Sequence, residues 1–183
     1  MRCPVPHLAA VFAVLASIVP AVLSAATLQQ LSMDEMNQGA TTVVRARISG
    51  SSAGFMGSTI YTHYKLETLE SWKGQPVPEV LVPGGQASGL RQSFPGMPDL
   101  LVGSEYVLFL WKSPTTGIVH LMGLGQGVFT VVRKPDGSLT ADRQRLGETM
   151  LDKLGRKIAD QPVSIGLTTM KTRALEAGAG SSK

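Results

Sequence analysis

The chain has 183 residues, of which 43% are hydrophobic and 16% are charged, and its formal net charge is +4. The basic residues form no long run, and this excludes a nucleic-acid-binding protein that relies on a clustered basic face. The single cysteine, Cys3, excludes an internal disulfide and a zinc site built from several cysteines.

Residues 1–26 have the three parts of a signal peptide in the expected order: the positive charge of Arg2, an apolar run over 8–23, and the small residues Ser24-Ala25-Ala26. The run is shorter than the ~20 residues that a spanning helix needs, so an uncleaved membrane anchor is the weaker alternative. We predict cleavage after Ala26 and export to the periplasm or the medium. Loss of Arg2 leaves 16 basic and 13 acidic residues, a net charge of +3.

The mature chain begins with a helix signal and continues with strand signals. Ser32 and Glu35 have capping-box spacing and predict a short helix over 32–39. Alternation of apolar and polar residues then predicts short strands, and the apolar run 105–112 predicts a central strand. The stretch 50–58 is rich in glycine and in other residues with small side chains, and this indicates a loop or a distorted hairpin. The predicted strands are 42–49, 60–72, 79–82, 105–112, 118–124, 127–133 and 138–140.

Residues 83–99 form the most unusual segment, because four glycines and three prolines in seventeen residues exclude a regular central strand. A bent hairpin around 87–94 is compatible with this composition. Long, ordered loops on β scaffolds often carry binding residues. We therefore predict a binding loop with the candidate residues Arg91, Gln92, Phe94 and Met97. The alternative is a structural lid in which Leu90, Phe94 and Met97 cover the end of a barrel.

The pattern changes near the C-terminus. Met150, Leu151, Leu154 and Ile158 recur at helical spacing and predict a helix over 147–159. We expect residues 161–183, which end in small and polar residues, to be a flexible tail. The predicted organisation is thus a signal peptide over 1–26, a single β-rich domain with flanking helices over 27–160, and the tail.

The predicted fold class is mainly β. Few segments between the strands are long enough for a crossover helix, so antiparallel pairing is favoured, in a barrel or a sandwich. We predict a small OB-like barrel of about five to six strands, with a short N-terminal helix and a C-terminal helix.

Several runs resemble a group of uncharacterised bacterial exported proteins; they lie at 42–48, 60–64, 70–74, 82–85 and 103–110. The long strand that ends in Lys73-Gly74, followed later by Gly103-x-x-Tyr106, is also distantly similar to netrin-like and TIMP-like modules. That resemblance implies an OB barrel that binds or inhibits a partner and is not an enzyme. TIMP-type inhibitors chelate the protease zinc through an N-terminal cysteine, whereas the predicted N-terminus here is Thr27.

No catalytic, metal or cofactor site is predicted. His63 and His120, the histidines of the mature chain, lack neighbours at ligand spacing, and no nucleophile-elbow pattern surrounds any serine. We therefore predict an exported, non-catalytic interaction module that binds a protein or an envelope surface component through residues 83–99. One role open to such a module is that of an inhibitor. The alternative is a small secreted or periplasmic hydrolase that uses a Ser/His site with His63 or His120 as the base.

Overall fold

A computed structural model of the chain describes residues 27–180. The predicted signal peptide and its cleavage site after Ala26 lie outside the described residues. The described part is mainly β, with two α-helices, and it forms thirteen strands. The strands are β1 Thr27–Gln29, β2 Thr42–Met56, β3 Thr59–Lys73, β4 Glu79–Pro83, β5 Gly85–Ala87, β6 Leu90–Gln92, β7 Glu105–Lys112, β8 Val119–Leu121, β9 Val128–Arg133, β10 Leu139–Arg143, β11 Thr149–Leu151, β12 Lys157–Ile158 and β13 Val163–Gly166.

Eight of these strands form one antiparallel sheet in the order β13-β10-β9-β7-β2-β3-β4, with β8 paired to β7. β4 and β13 end this order, and within residues 27–180 no ladder joins them. The sheet is therefore open, and the predicted OB-like closed barrel of five to six strands is not confirmed. The β2–β3 ladder has three register shifts, and irregularities of this kind bend a sheet. As a result β4 comes close to β8, but the two strands do not pair.

The sheet has a hydrophobic core on each face, because successive side chains of a strand point to opposite sides. On β7, Leu108 and Leu110 belong to one core and Val107 and Phe109 to the other, and all four are fully buried. The predicted central strand over 105–112 is thus confirmed, and its middle is buried on both faces. We call the side of Val107 and Phe109 the helix face, because both helices cover it, and the other side the loop face.

Helix α1, Met33–Gly39, confirms the predicted N-terminal helix. Ser32 is its N-cap: the Ser32 hydroxyl accepts from the Glu35 N–H, and the Glu35 carboxylate accepts from the Ser32 N–H. A hydrogen bond from Lys153, followed by those from Ser32, lowers the pKa of Glu35 to about 2. Met36 and Ala40 then enter the core of the helix face.

The predicted helix over 147–159 is wrong. This stretch forms β11 and β12, joined by a tight turn in which an Asp152 carboxylate oxygen accepts from the N–H groups of Leu154 and Arg156. Gly155, with a φ of +77°, supplies the left-handed residue of this turn. Leu154, counted on the apolar face of the predicted helix, is 77% exposed.

The C-terminal helix lies in the segment that we expected to be a flexible tail, and that expectation is wrong for residues 163–180. There β13 extends the large sheet, and helix α2, Leu167–Gly180, buries Leu167, Met170 and Ala174 against the helix face. These three residues share one side of a helix because they are three and four positions apart. The folded part therefore extends beyond residue 160.

An ion-pair network fastens α2 to the sheet. Arg45 on β2 bridges Glu70 on β3 and Glu105 on β7 at 2.9 and 2.7 Å, and Lys171 of α2 contacts Glu70 at 2.6 Å. The hydrogen bonds from Lys171 and then from the Trp72 indole lower the pKa of Glu70 to about 2. These four charged residues thus satisfy one another.

Candidate functional site

The segment 83–99 borders a cleft of about 480 Å³ on the loop face of the sheet. All four candidate residues of the sequence analysis, Arg91, Gln92, Phe94 and Met97, line it. We call it the 83–99 cleft. Its other lining residues are Ser51, Ser52, Ala53, Thr62, Tyr64, Val82, Pro83, Gly84, Gly85, Gln86, Ser93, Pro98 and Asp99.

The floor of the cleft comes from the outer half of the β2–β3 hairpin. Ser51 faces Tyr64 and Ala53 faces Thr62 across the ladder, so these pairs share one side of the sheet. The sequence predicts a loop or distorted hairpin over 50–58. In the structure, β2 continues to Met56 as one arm of the β2–β3 hairpin, with a register shift between Ile48 and Gly50. The sequence does contain a signal for this long strand. Apolar and polar residues alternate regularly in the partner strand β3, and a strand of that length pairs along its whole length only with a neighbour that is equally long.

The wall of the cleft is the small β5–β6 hairpin, which replaces the bent hairpin expected around 87–94. Ala87 pairs with Leu90, so the hairpin turns on Ser88 and Gly89, whose φ angles are +49° and +76°. Two positive φ angles in succession are the geometry of a type I′ turn, which matches the twist of the flanking strands. This places Arg91 next to Gln86 on the hairpin.

Gln92 holds the hairpin on the sheet. Its Oε1 accepts from the Ile60 N–H at 2.6 Å, and its Nε2 donates to the Ser58 carbonyl at 3.1 Å. Both ends of the amide are thus occupied by the tip of the β2–β3 hairpin. Gln92 therefore positions the wall of the cleft in the described structure.

The Gly84-Gly85 pair brings the chain very close to the floor. The Gly84 N–H donates to the Ile60 carbonyl at 2.8 Å, and the Thr62 hydroxyl donates to the Gly84 carbonyl at 2.7 Å. Gly85 has a φ of +128°, and a Cβ there would collide with the Thr62 hydroxyl. Glycine is required here for conformation and for space.

Two charged groups at the cleft have no protein partner among residues 27–180. The exposed Arg91 guanidinium and the exposed Asp99 carboxylate make no hydrogen bond or ion pair there. Tyr64 also lines the cleft, and its hydroxyl accepts from the Leu100 N–H at 3.3 Å. Burial raises the pKa of Tyr64, and the nearby Asp99 carboxylate raises it further. The phenol therefore remains neutral at physiological pH.

Phe94 and Met97 differ in burial. Met97 packs against the core of the loop face, whereas the Phe94 side chain is 39% exposed and Leu90 is 59% exposed. The Met97 N–H donates to the Phe94 carbonyl, and the Gly125 N–H donates to the Gly96 carbonyl, which fixes the loop between them. Of the three residues of the alternative lid, Met97 thus packs on the core, while Leu90 and Phe94 face solvent.

The histidines lie elsewhere. His63 is on the opposite side of β3 from Tyr64, with its Nδ1 3.5 Å from a Glu79 oxygen. The His120 ring stacks on Trp111 at 6.0 Å between ring centroids. Across the described part of the chain, neither histidine hydrogen-bonds to a serine, and no group of three His, Cys, Asp or Glu residues has the arrangement to hold a metal ion.

Among residues 27–180, neither helix is both long enough and apolar enough to cross a membrane. Comparison with known proteins adds no family: the chain matches no protein-family model and no curated protein.

Proposed function

We propose that the protein is an exported, non-catalytic binding module whose ligand, part of a protein or of an envelope surface component, occupies the 83–99 cleft. The observation that carries this proposal is the pair of unpartnered charges, Arg91 and Asp99, on the border of a firmly anchored cleft. Elsewhere in the described structure, most acidic side chains have hydrogen-bonding or ionic partners, as Glu70 and Glu105 do. Charged groups without an internal partner are free to bind a ligand.

The rigidity of the cleft supports the same proposal. Gln92, Thr62 and Gly84 fix the β5–β6 hairpin by hydrogen bonds to the β2–β3 hairpin. A preorganised site loses less conformational entropy when it binds a ligand than a mobile loop does. The similarity to netrin-like and TIMP-like modules, which bind partners, stays a prediction and agrees with this role by analogy.

The test is capture of a ligand from the native envelope and the culture fluid, with identification by mass spectrometry. Arg91→Ala should abolish or strongly reduce capture of the principal ligand. Arg145→Ala is the matched control, because Arg145 is also exposed and also has no ionic partner in the described structure, but it does not line the cleft. Equal capture by both variants would place the binding site outside the cleft.

A second candidate, a hydrolase with His63 as its base, has one observation in its favour. Ser52 faces His63 across the β2–β3 ladder, and His63 approaches Glu79, so a serine, a histidine and a carboxylate follow one another across the sheet. Against it, the described residues contain no hydrogen bond from Ser52 to His63. A screen with ester and peptide substrates decides: activity that His63→Ala abolishes supports the hydrolase, and inactivity contradicts it.

A further inference from the structure

We propose that the ligand of the 83–99 cleft is a neutral oligosaccharide, an inference that rests on the proposed function and names its ligand class. The cleft volume of about 480 Å³ lies within the range of small-molecule sites, roughly 300 to 1,000 Å³. It suits a short stretch of a sugar chain, and the chemistry of its lining carries the assignment.

The first argument is the inventory of free polar groups. Five lining side chains on the cleft side make no hydrogen bond to another residue in the described range; they are Ser51, Gln86, Arg91, Ser93 and Asp99. Sugar hydroxyls both donate and accept, and so do serine hydroxyls and a glutamine amide. The planar guanidinium and carboxylate each present two atoms side by side, which matches two neighbouring hydroxyls of a sugar ring.

The second argument is charge. The cleft has one cationic side chain, Arg91, and one anionic side chain, Asp99, so its lining is neutral overall. A polyanion such as nucleic acid or a strongly acidic polysaccharide needs several cationic groups, and a cationic peptide needs several carboxylates. A ligand that is rich in hydroxyl groups and carries no net charge fits this balance better than either.

The third argument is the exposed ring of Phe94, which is 39% accessible beside these polar groups. The C–H groups on one side of a sugar ring form an apolar surface that packs on an aromatic ring, while the hydroxyls at its edge reach polar side chains. The exposed Phe94 ring beside planar polar groups provides both kinds of contact. Burial of the ring by the ligand adds hydrophobic free energy to the hydrogen bonds.

The fourth argument disfavours an extended peptide. Peptides often bind by adding a strand to a free sheet edge, where backbone groups are unpaired. The floor of the cleft is instead a sheet face: Ser51 and Ala53 lie on β2, which pairs with β3, and β3 pairs in turn with β4. The backbone of the β2–β3 floor is thus used in ladders, and a ligand on the floor meets side chains. The outer edge of β4 is the place where a peptide strand would add, and the peptide arm of the experiment below tests this.

The experiment is a broad glycan array probed with the protein, followed by ¹⁵N NMR titration with the soluble trisaccharide corresponding to the best hit and, in parallel, with a pool of uncharged decapeptides. We expect saturable shifts of the amides of residues 51–53 and 84–94 with the trisaccharide. Arg91→Ala, Asp99→Asn and Phe94→Ala should each weaken binding by about tenfold or more, since each removes a charge-assisted bond or a stacking surface. Arg145→Ala should bind like the wild type.

The outcomes separate the two proposals. If no oligosaccharide shifts the cleft amides, the oligosaccharide proposal is overturned. The binding-module proposal then stands when the peptide pool shifts these amides or when capture from the envelope depends on Arg91. If neither probe shifts the cleft and capture from the envelope is also independent of Arg91, both fail. Thermal unfolding of each variant must match the wild type, which the exposure of Arg91 and Asp99 leads us to expect.

Discussion

The helix face and the 83–99 cleft use charged residues in opposite ways. On the helix face, Arg45 contacts Glu70 and Glu105, and Lys171 of α2 contacts Glu70, so each of these four charges has a partner within the protein. At the cleft, Arg91 and Asp99 have none in the described structure. The difference indicates that this network on the helix face serves the fold, whereas the two charges at the cleft are available to a ligand. Four substitutions test this comparison, in order of decreasing effect on stability.

The largest effect is expected on the helix face. Met170 of α2 is fully buried, and Met170→Ala should lower the free energy of unfolding by about 2 to 5 kcal/mol through lost burial and a cavity. Leu175→Ala is the control on the same helix, because Leu175 is 46% exposed, and it should cost less than about 1 kcal/mol. Urea unfolding measures both. Equal effects would mean that α2 does not pack on the sheet as described.

At the cleft, Gly85→Ala should cost more than about 1 kcal/mol, since the φ of +128° is unfavourable for alanine and the new Cβ meets Thr62. The variant should also lose ligand binding because the hairpin shifts from the floor. Gly54→Ala is the control, because a Cβ there meets nothing within 4 Å. A Gly85→Ala protein with wild-type stability and binding would contradict the close approach.

Glu70 should give a pH-dependent effect. The pKa of its carboxyl is lowered to about 2 from its ordinary value of 4.5, so its stabilising contribution is present above pH 4.5 and is lost as the pH falls towards 2. Solvent screening reduces this contribution to about 1 kcal/mol, because the side chain is 29% exposed. Glu70→Gln should therefore be less stable than the wild type at pH 7, and the gap should narrow at pH 2.5. A gap that stays constant in urea unfolding at the two pH values would refute the assignment.

The smallest effect on stability is expected at Arg91. Arg91→Ala should change the free energy of unfolding by less than about 0.5 kcal/mol, because the side chain is exposed and bonds to nothing in the described structure. The same substitution should nevertheless have the largest effect on ligand capture. A clear loss of stability would show that Arg91 serves the fold, and the contrast with the helix face would fail.

Local signals made part of this structure predictable. The Ser32–Glu35 spacing defines a cap within four residues, and the apolar run of β7 is long enough to be buried on both faces. The helix predicted over 147–159 was wrong because Met150, Leu154 and Ile158 have helical spacing. The turn between β11 and β12 instead depends on hydrogen bonds that the Asp152 side chain accepts. Tertiary packing overrode the periodicity.

The candidate site was predictable as a segment but not as a surface. The density of glycine and proline marked residues 83–99, and all four predicted residues line the cleft. The floor residue Ser51 was missed because a Gly- and Ser-rich strand has little hydrophobic alternation of its own. The role of Gln92 depends on Ile60 and Ser58, more than 30 positions away, which no local pattern shows.

Amide hydrogen exchange of the protein, with and without the envelope component that it captures, tests the central claim most directly. Our account predicts that binding slows exchange in residues 84–94 and in 51–56 and leaves the amide of Glu79 and its neighbours in the chain unchanged. Protection confined to the segment around Glu79, with no change in 84–94, would contradict it.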